Sequence, residues 1–324
     1  MQSIYTLVDK QFAVVNQLIL SELHSHIELV EDISQYLVAS GGKRVRPLVT
    51  LLVAAALGDE ANPQQAKLAT AIEFLHTATL LHDDVVDMSS LRRGKPTANA
   101  NWGNASSVLV GDFVYSRAFQ LMVAVGNLQV MEVLSDTTVK IAEGEVQQLS
   151  EIGNVELSEA RYFEVIERKT AQLFAGACES AAIVAGADAA ITANMCAYGQ
   201  HLGIAFQLVD DYLDYAGDPA QLGKNVGDDL AEGKLTLPLI QALKVLASNH
   251  SASHEQLLKI IKNKDLDKIT TVIELVTQCG ALDYTRQCAA QRIALANEAA
   301  AALPQSNYTQ ALVKLGGLML QRTA

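Results

Sequence analysis

Apolar side chains return every third or fourth position along most of the chain, with polar ones between them. The run Ala66-Lys67-Leu68-Ala69-Thr70-Ala71-Ile72-Glu73-Phe74-Leu75 shows the pattern. That period predicts amphipathic helices, and Ala, Leu, Gln and Glu lose little rotamer freedom in them. No stretch alternates convincingly enough to predict a strand. Leu48 to Leu57 and Ala177 to Ala187 are apolar on most faces, so they are expected inside a bundle.

Helix punctuation agrees with this reading. Pro47, Pro63, Pro96, Pro219, Pro238 and Pro304 each stand where a helix can start or stop, and none falls between Thr97 and Asp218. Gly41-Gly42, Gly58-Asp59, Gly94 and the stretch from Gly217 to Gly233 mark further boundaries. With no repeat or low-complexity tract to divide it, the chain is expected to form one all-α domain over residues 1–324, a bundle of roughly ten or more helices.

Composition then removes whole classes of function. Half of the 324 residues are apolar and 19% are charged, which supplies enough non-polar surface for a large core and excludes a disordered chain. The net charge of −12 argues against a nucleic-acid binder, which needs a basic face. Cys178, Cys196, Cys279 and Cys288 form no C-x-x-C pair and read as thiols in a reducing compartment. The longest uninterrupted apolar run, Leu51 to Leu57, falls far short of the ~18 residues of a membrane span, so a soluble, cytoplasmic protein is expected.

Against that background the acidic clusters stand out. Leu80-Leu81-His82-Asp83-Asp84-Val85-Val86-Asp87 places three aspartates at i, i+1 and i+4 where an apolar helix ends. At ~100° per residue Asp83 and Asp87 share a face with Asp84 beside them, and all three oppose the C-terminal end of the helix dipole. A compensating cation is expected. The same D-D-x-x-D pattern returns as Asp210-Asp211-Tyr212-Leu213-Asp214, with Gln207, Asp210 and Asp214 on one helical face. Two such clusters, each ending an apolar helix, suit Mg²⁺, a hard cation usually shared between carboxylates and substrate phosphates.

Basic groups supply the other half. Lys43, Arg44 and Arg46 follow Gly41-Gly42; Arg92, Arg93 and Lys95 follow the first cluster; Arg168 and Lys169 precede Thr170. Lys224 and Lys234 flank Asp228-Asp229. In so acidic a protein these concentrations point to phosphate, which guanidinium groups bind bidentately.

These residues, with Gly41 to Pro47, His76 to Asp87, Arg92 to Thr97, Gly111-Asp112, Glu143-Gly144-Glu145, Lys169-Thr170 and Gly203 to Asp214, resemble the trans-type polyprenyl diphosphate synthases over nearly the whole chain. The resemblance implies an all-helical homodimer around a central elongated cavity. It implies Mg²⁺-dependent, successive condensation of isopentenyl diphosphate onto an allylic diphosphate such as farnesyl diphosphate. It assigns metal coordination to Asp83, Asp87 and Asp210, with Asp84 and Asp214 in support. Arg92, Lys169, Thr170, Gln207 and Lys224 would hold the allylic diphosphate; Lys43, Arg46, His76 and Arg93 would hold that of isopentenyl diphosphate. Asp83, Asp87, Arg92 and Lys169 would carry the chemistry.

Ala78 and Thr79, one turn before Asp83, are small where short-chain relatives carry aromatics, so the resemblance implies a long product of octaprenyl or solanesyl length for a quinone side chain. A floor deeper down would fall to Phe119, Met122 or Leu134. No integral membrane segment is expected. Three other readings compete. A helical metal phosphohydrolase would need converging imidazoles, but the one His-x-His pair, His24 and His26, has no obvious acidic partner. A terpene cyclase would have no use for a second diphosphate pocket. A non-catalytic regulatory subunit would usually lose motif aspartates, and both clusters are complete.

Overall fold

The computed structural model describes residues 1–216, 226–248 and 252–321. These are almost wholly helical and group into two compact units, Met1–Thr137 with Leu173–Gly199 and Asn297–Leu315, and Thr138–Gln172 with Gln200–Ala296 and Gly316–Ala324.

In the first unit the helix Val45–Ala56 is buried from Arg46 to its last residue, as its unbroken apolar run predicts. Each fully enclosed Leu there contributes roughly 1.5–3 kcal/mol relative to exposure. The longer helix Pro63–Val86 starts where Asn62 accepts a hydrogen bond from the Gln64 N–H and Pro63 fills the first turn, a position that needs no amide donor. It packs against Asn104–Val125, and the close approach depends on Gly111: a Cβ there would collide with the His82 ring. Asn104–Val125 is also the one described helix long and apolar enough to cross a membrane. Asp112 and Arg117 interrupt its run, so counting uninterrupted apolar residues does not single it out.

Pro63–Val86 ends at the first aspartate cluster. Met88 turns into the left-handed region at φ 52° and the Ser89 N–H bonds back to the Asp84 carbonyl at 2.9 Å. A short antiparallel hairpin follows, Leu91–Arg92 against Lys95–Pro96. Its two turn residues, Arg93 and Gly94, both have positive φ, which matches the right-handed twist of the strands. Among the described residues this is the one departure from the strand-free expectation, and it is confined to two residues per strand.

The second unit centres on a core that includes Tyr162, Ile166, Leu208, Val209, Leu213, Tyr215 and Leu237. Within it Glu167–Ala171 forms a π-helical turn between Glu159–Ile166 and Gln172–Val184. Such turns project side chains off the regular α-helical period, and this one carries Arg168, Lys169 and Thr170. The second aspartate cluster lies at the C-terminal end of Ala189–Ala216.

Candidate active site

In the first unit, Asp84 is 4% exposed, and Arg92 donates to its Oδ1 from Nε at 2.9 Å and Nη2 at 2.6 Å. Burial alone would lower the Arg92 pKa, but the Asp84 hydrogen bonds and charge, aided by Asp83 and Asp87, raise it. The cation required by the crowded aspartates therefore comes from the hairpin. Asp83 and Asp87 are half-buried and one helical turn apart, with the Asp87 N–H on the Asp83 carbonyl at 2.8 Å.

Beside them lies a cavity of about 80 Å³ whose lining includes Arg44, Glu73, His76, Asp84, Arg92 and Arg93. Burial, with Arg46, Arg92 and Arg93 adding, drives the His76 pKa well below its usual value, so the imidazole is neutral. Arg93 donates to the Gly41 carbonyl, and a Cβ at Gly42 would stand 2.6 Å from its Nη1. Gly42 thus gives the guanidinium its room. Burial also lowers Arg46 to about 10, partly offset by Glu73. Its guanidinium lies 4.3 Å from the centre of the Phe174 ring, while its Nε is a buried donor without a hydrogen-bond acceptor. Lys43 is exposed, and its carbonyl accepts from Tyr5.

Sequence reasoning missed Glu73 here, and named Arg44 only within a basic cluster without giving it a role. Glu73 lines the cavity, and its charge couples to Arg46, Arg44 and Arg93. Its place three residues before His76 was the available signal. Arg44 also lines the cavity and reaches Asn16. Of the chain-length positions, Ala78 is completely buried, while Thr79 is half-buried and donates to the His76 carbonyl at 2.8 Å. Met122 and Leu134 are fully enclosed and Phe119 is half-buried.

The second unit holds the other predicted residues. Lys169 Nζ lies 2.6 Å from Glu145 Oε2 and 2.8 Å from Gln148 Oε1. Thr170 donates to Gln207 Oε1 at 2.8 Å, and Gln207 Nε2 donates to Asp211 Oδ1, also at 2.8 Å. The helical period placed Gln207 with Asp210 and Asp214, but its partner is the buried Asp211. Tyr162 donates to the other oxygen of Asp211. Burial and the charge of Asp229 push the Asp211 carboxyl up to about 8 despite these two hydrogen bonds. Asp214 is buried and accepts from the Asp229 N–H at 3.3 Å, whereas Asp210 is half-buried. Lys224 lies outside the described residues, and Lys234 pairs with Glu232 at 2.7 Å.

No three His, Cys, Asp or Glu side chains among the described residues converge in a metal-holding group. Magnesium needs no such cage: one or two carboxylates suffice where substrate phosphates complete the shell. Half-buried Asp83 and Asp87, one turn apart and oxygen-only, fit that requirement.

The solved structures similar to this chain are all-α isoprenyl synthases. A polyprenyl synthase of Caulobacter crescentus, complexed with calcium and isoprenyl diphosphate, has a TM-score of 0.93 at 43% identity, covering 99% of this chain and 97% of that one. A decaprenyl diphosphate synthase of Rhodobacter capsulatus also gives 0.93, at 41% identity, covering 100% and 99%. The chain is 45% identical over 326 residues to the octaprenyl diphosphate synthase of Escherichia coli, covering 99% of each. Residues 27–277 match the family described as polyprenyl synthetase. The chain belongs to that family, and it is a prenyltransferase.

Proposed function

We propose that the protein is a magnesium-dependent octaprenyl diphosphate synthase that adds isopentenyl diphosphate repeatedly to an allylic primer such as farnesyl diphosphate. The observation that carries this reading is the end-to-end 45% identity to an octaprenyl synthase, joined to small side chains at Ala78 and Thr79. Because matches of this kind cover 99% of the chain, residues 1–324 are taken as one functional domain.

Asp83, Asp87 and Asp210 would hold magnesium, with Asp84 and Asp214 supporting them. The ion supplies charge neutralisation to the departing diphosphate. Arg92, Lys169, Thr170, Gln207 and Lys224 bind the allylic diphosphate, and Arg92 and Lys169 stabilise charge as its C1–O bond breaks. Lys43, Arg46, His76 and Arg93 fix isopentenyl diphosphate so that its double bond attacks C1 of the allylic cation. Water is excluded while the cation lasts. A proton lost to the released pyrophosphate restores an allylic diphosphate. The neutral His76 and the unsatisfied Arg46 Nε support an anion site that binds by hydrogen bonds as well as charge.

The growing hydrocarbon would run back along Pro63–Val86 past Thr79 and Ala78 toward Phe119, Met122 and Leu134. We also assign a homodimer. Val139, Ala142, Val146 and Leu149 recur at i, i+3, i+7 and i+10 on Leu128–Ser150 and are all exposed, a seam suited to a second helix. The cytoplasm is the expected compartment, with the product serving as a quinone side chain.

The test is incubation with farnesyl diphosphate, radiolabelled isopentenyl diphosphate and Mg²⁺, followed by chain-length separation. Octaprenyl product is expected; the absence of elongation would refute the reading. A longer product has specific support, since a Rhodobacter capsulatus relative at 44% identity over 321 residues is an all-trans-nonaprenyl-diphosphate synthase.

A further inference from the structure

Glu143-Gly144-Glu145 is a feature of the sequence to which the proposed reaction gives no role. Gly144 is explained by packing: a Cβ there would stand 2.7 Å from the Lys169 amide nitrogen, so only glycine lets Leu128–Ser150 approach the π-helical turn this closely. That approach brings Glu145 and Gln148, one helical turn apart, onto the Lys169 ammonium. The Lys169 and Glu145 side chains are 19% and 28% exposed, so solvent only partly screens the pair.

A lysine that grips a diphosphate has no evident need of a carboxylate at 2.6 Å. The pair partly neutralises the ammonium before any ligand arrives, and it leaves an anion beside the phosphate oxygens that the ammonium would contact. Both effects weaken anion binding at Lys169. In a synthase that repeats its cycle, pyrophosphate must leave after each condensation before the lengthened diphosphate can reoccupy the site. Inorganic pyrophosphate also carries more charge than the ester it came from, so a fixed carboxylate penalises the product more than the substrate.

We propose that Glu145 is a positioning residue that competes with pyrophosphate for the Lys169 ammonium, and so speeds release of pyrophosphate between successive additions. The inference rests on Lys169 being a diphosphate contact, as proposed above. When pyrophosphate departs, the ammonium returns to Glu145 and Gln148 rather than standing unpaired.

The experiment is calorimetric titration of the full chain with inorganic pyrophosphate at fixed Mg²⁺, using wild type, Glu145→Gln, Glu145→Asp, Lys169→Gln and the double variant with both Gln substitutions. Circular dichroism and a thermal melt check each fold. Glu145→Gln is expected to bind pyrophosphate about five times more tightly, the scale of a partly screened pair, and to show stronger product inhibition. Glu145→Asp, which keeps the charge, should return toward wild type even if the Gln variant folds poorly. In the Lys169→Gln background the tightening should vanish. Unchanged or weaker binding in Glu145→Gln, or equal tightening in both backgrounds, would overturn the proposal. Unchanged binding in Lys169→Gln alone would instead remove Lys169 from the diphosphate site and the Glu145 proposal with it, while the synthase reading, tested by product analysis, would stand.

Discussion

Arg92 and Asp84 meet through two donors on one oxygen, Nε and Nη2 both reaching Asp84 Oδ1. The hairpin that delivers Arg92 is thereby tied to the helix end that carries the first aspartate cluster. One of three crowded carboxylates is neutralised internally, and the tie fixes where its neighbours Asp83 and Asp87 stand.

This pair should show itself in stability. Arg92→Met leaves a buried carboxylate uncompensated; because Arg92 is 36% exposed, the expected loss is about 1–3 kcal/mol rather than the full cost of a buried pair. Replacing both residues, Arg92→Met with Asp84→Asn, should recover much of that loss. Denaturant unfolding of the two single variants and the double variant measures the coupling, and strictly additive losses would show that the contact contributes nothing.

Asp83 is predicted to matter to turnover and not to folding. It is half-buried and lies outside the enclosed core, so Asp83→Ala should melt within about 1 kcal/mol of wild type, as expected of a substitution away from the core. Isopentenyl transfer should fall below detection in the same preparation. Near-normal turnover would remove Asp83 from the metal site.

His76 gives a prediction in pH. Its folded pKa is depressed by burial and by Arg46, Arg92 and Arg93, while an unfolded histidine titrates near 6.5. Below that value the unfolded chain takes up a proton that the folded chain refuses. Stability is therefore lost as pH falls through the unfolded pKa, at up to about 1.4 kcal/mol per pH unit for this proton, until the folded pKa is reached. His76→Asn should flatten that limb between pH 6.5 and 5. Parallel unfolding curves for the two proteins across that range would contradict the buried, neutral assignment.

The helices were legible because their period is carried by many residues, as along Ala66 to Leu75, and because Asn62-Pro63 is a start signal with a direct mechanism. The hairpin was not: Leu91–Arg92 and Lys95–Pro96 are too short for alternation, and the only trace was Arg93-Gly94 between them. In the first cluster the sequence correctly demanded a cation, and Arg92 supplies it. In the second it separated Gln207 from Asp211, because helical angles say which face a residue occupies but not whether it is buried. Tyr162, which completes that contact, is distant in sequence and carries no local signal. Gly144 and Glu145 were visible as a motif, yet their meaning depends on a π-helical turn, and no residue pattern in Glu167–Ala171 announces one.

The two chain-length positions should respond differently to the same substitution. Ala78 and Thr79 are adjacent, but Ala78 is fully enclosed whereas Thr79 is half-buried and its hydroxyl is turned back onto the His76 carbonyl. A phenyl ring at Ala78 must displace packed neighbours, costing roughly 1–3 kcal/mol, so Ala78→Phe should lower the melting temperature whatever it does to the product. Thr79 is not fully enclosed, so a ring there is expected to displace less packing. Thr79→Phe should fold normally and block the hydrocarbon one turn below Asp83, giving products shortened by several isoprene units while the first condensation proceeds at a comparable rate. Chain-length separation after timed incubations distinguishes this outcome from general damage. Loss of all products together would indicate a disturbed site, and an unchanged product would show that the tail does not pass Thr79.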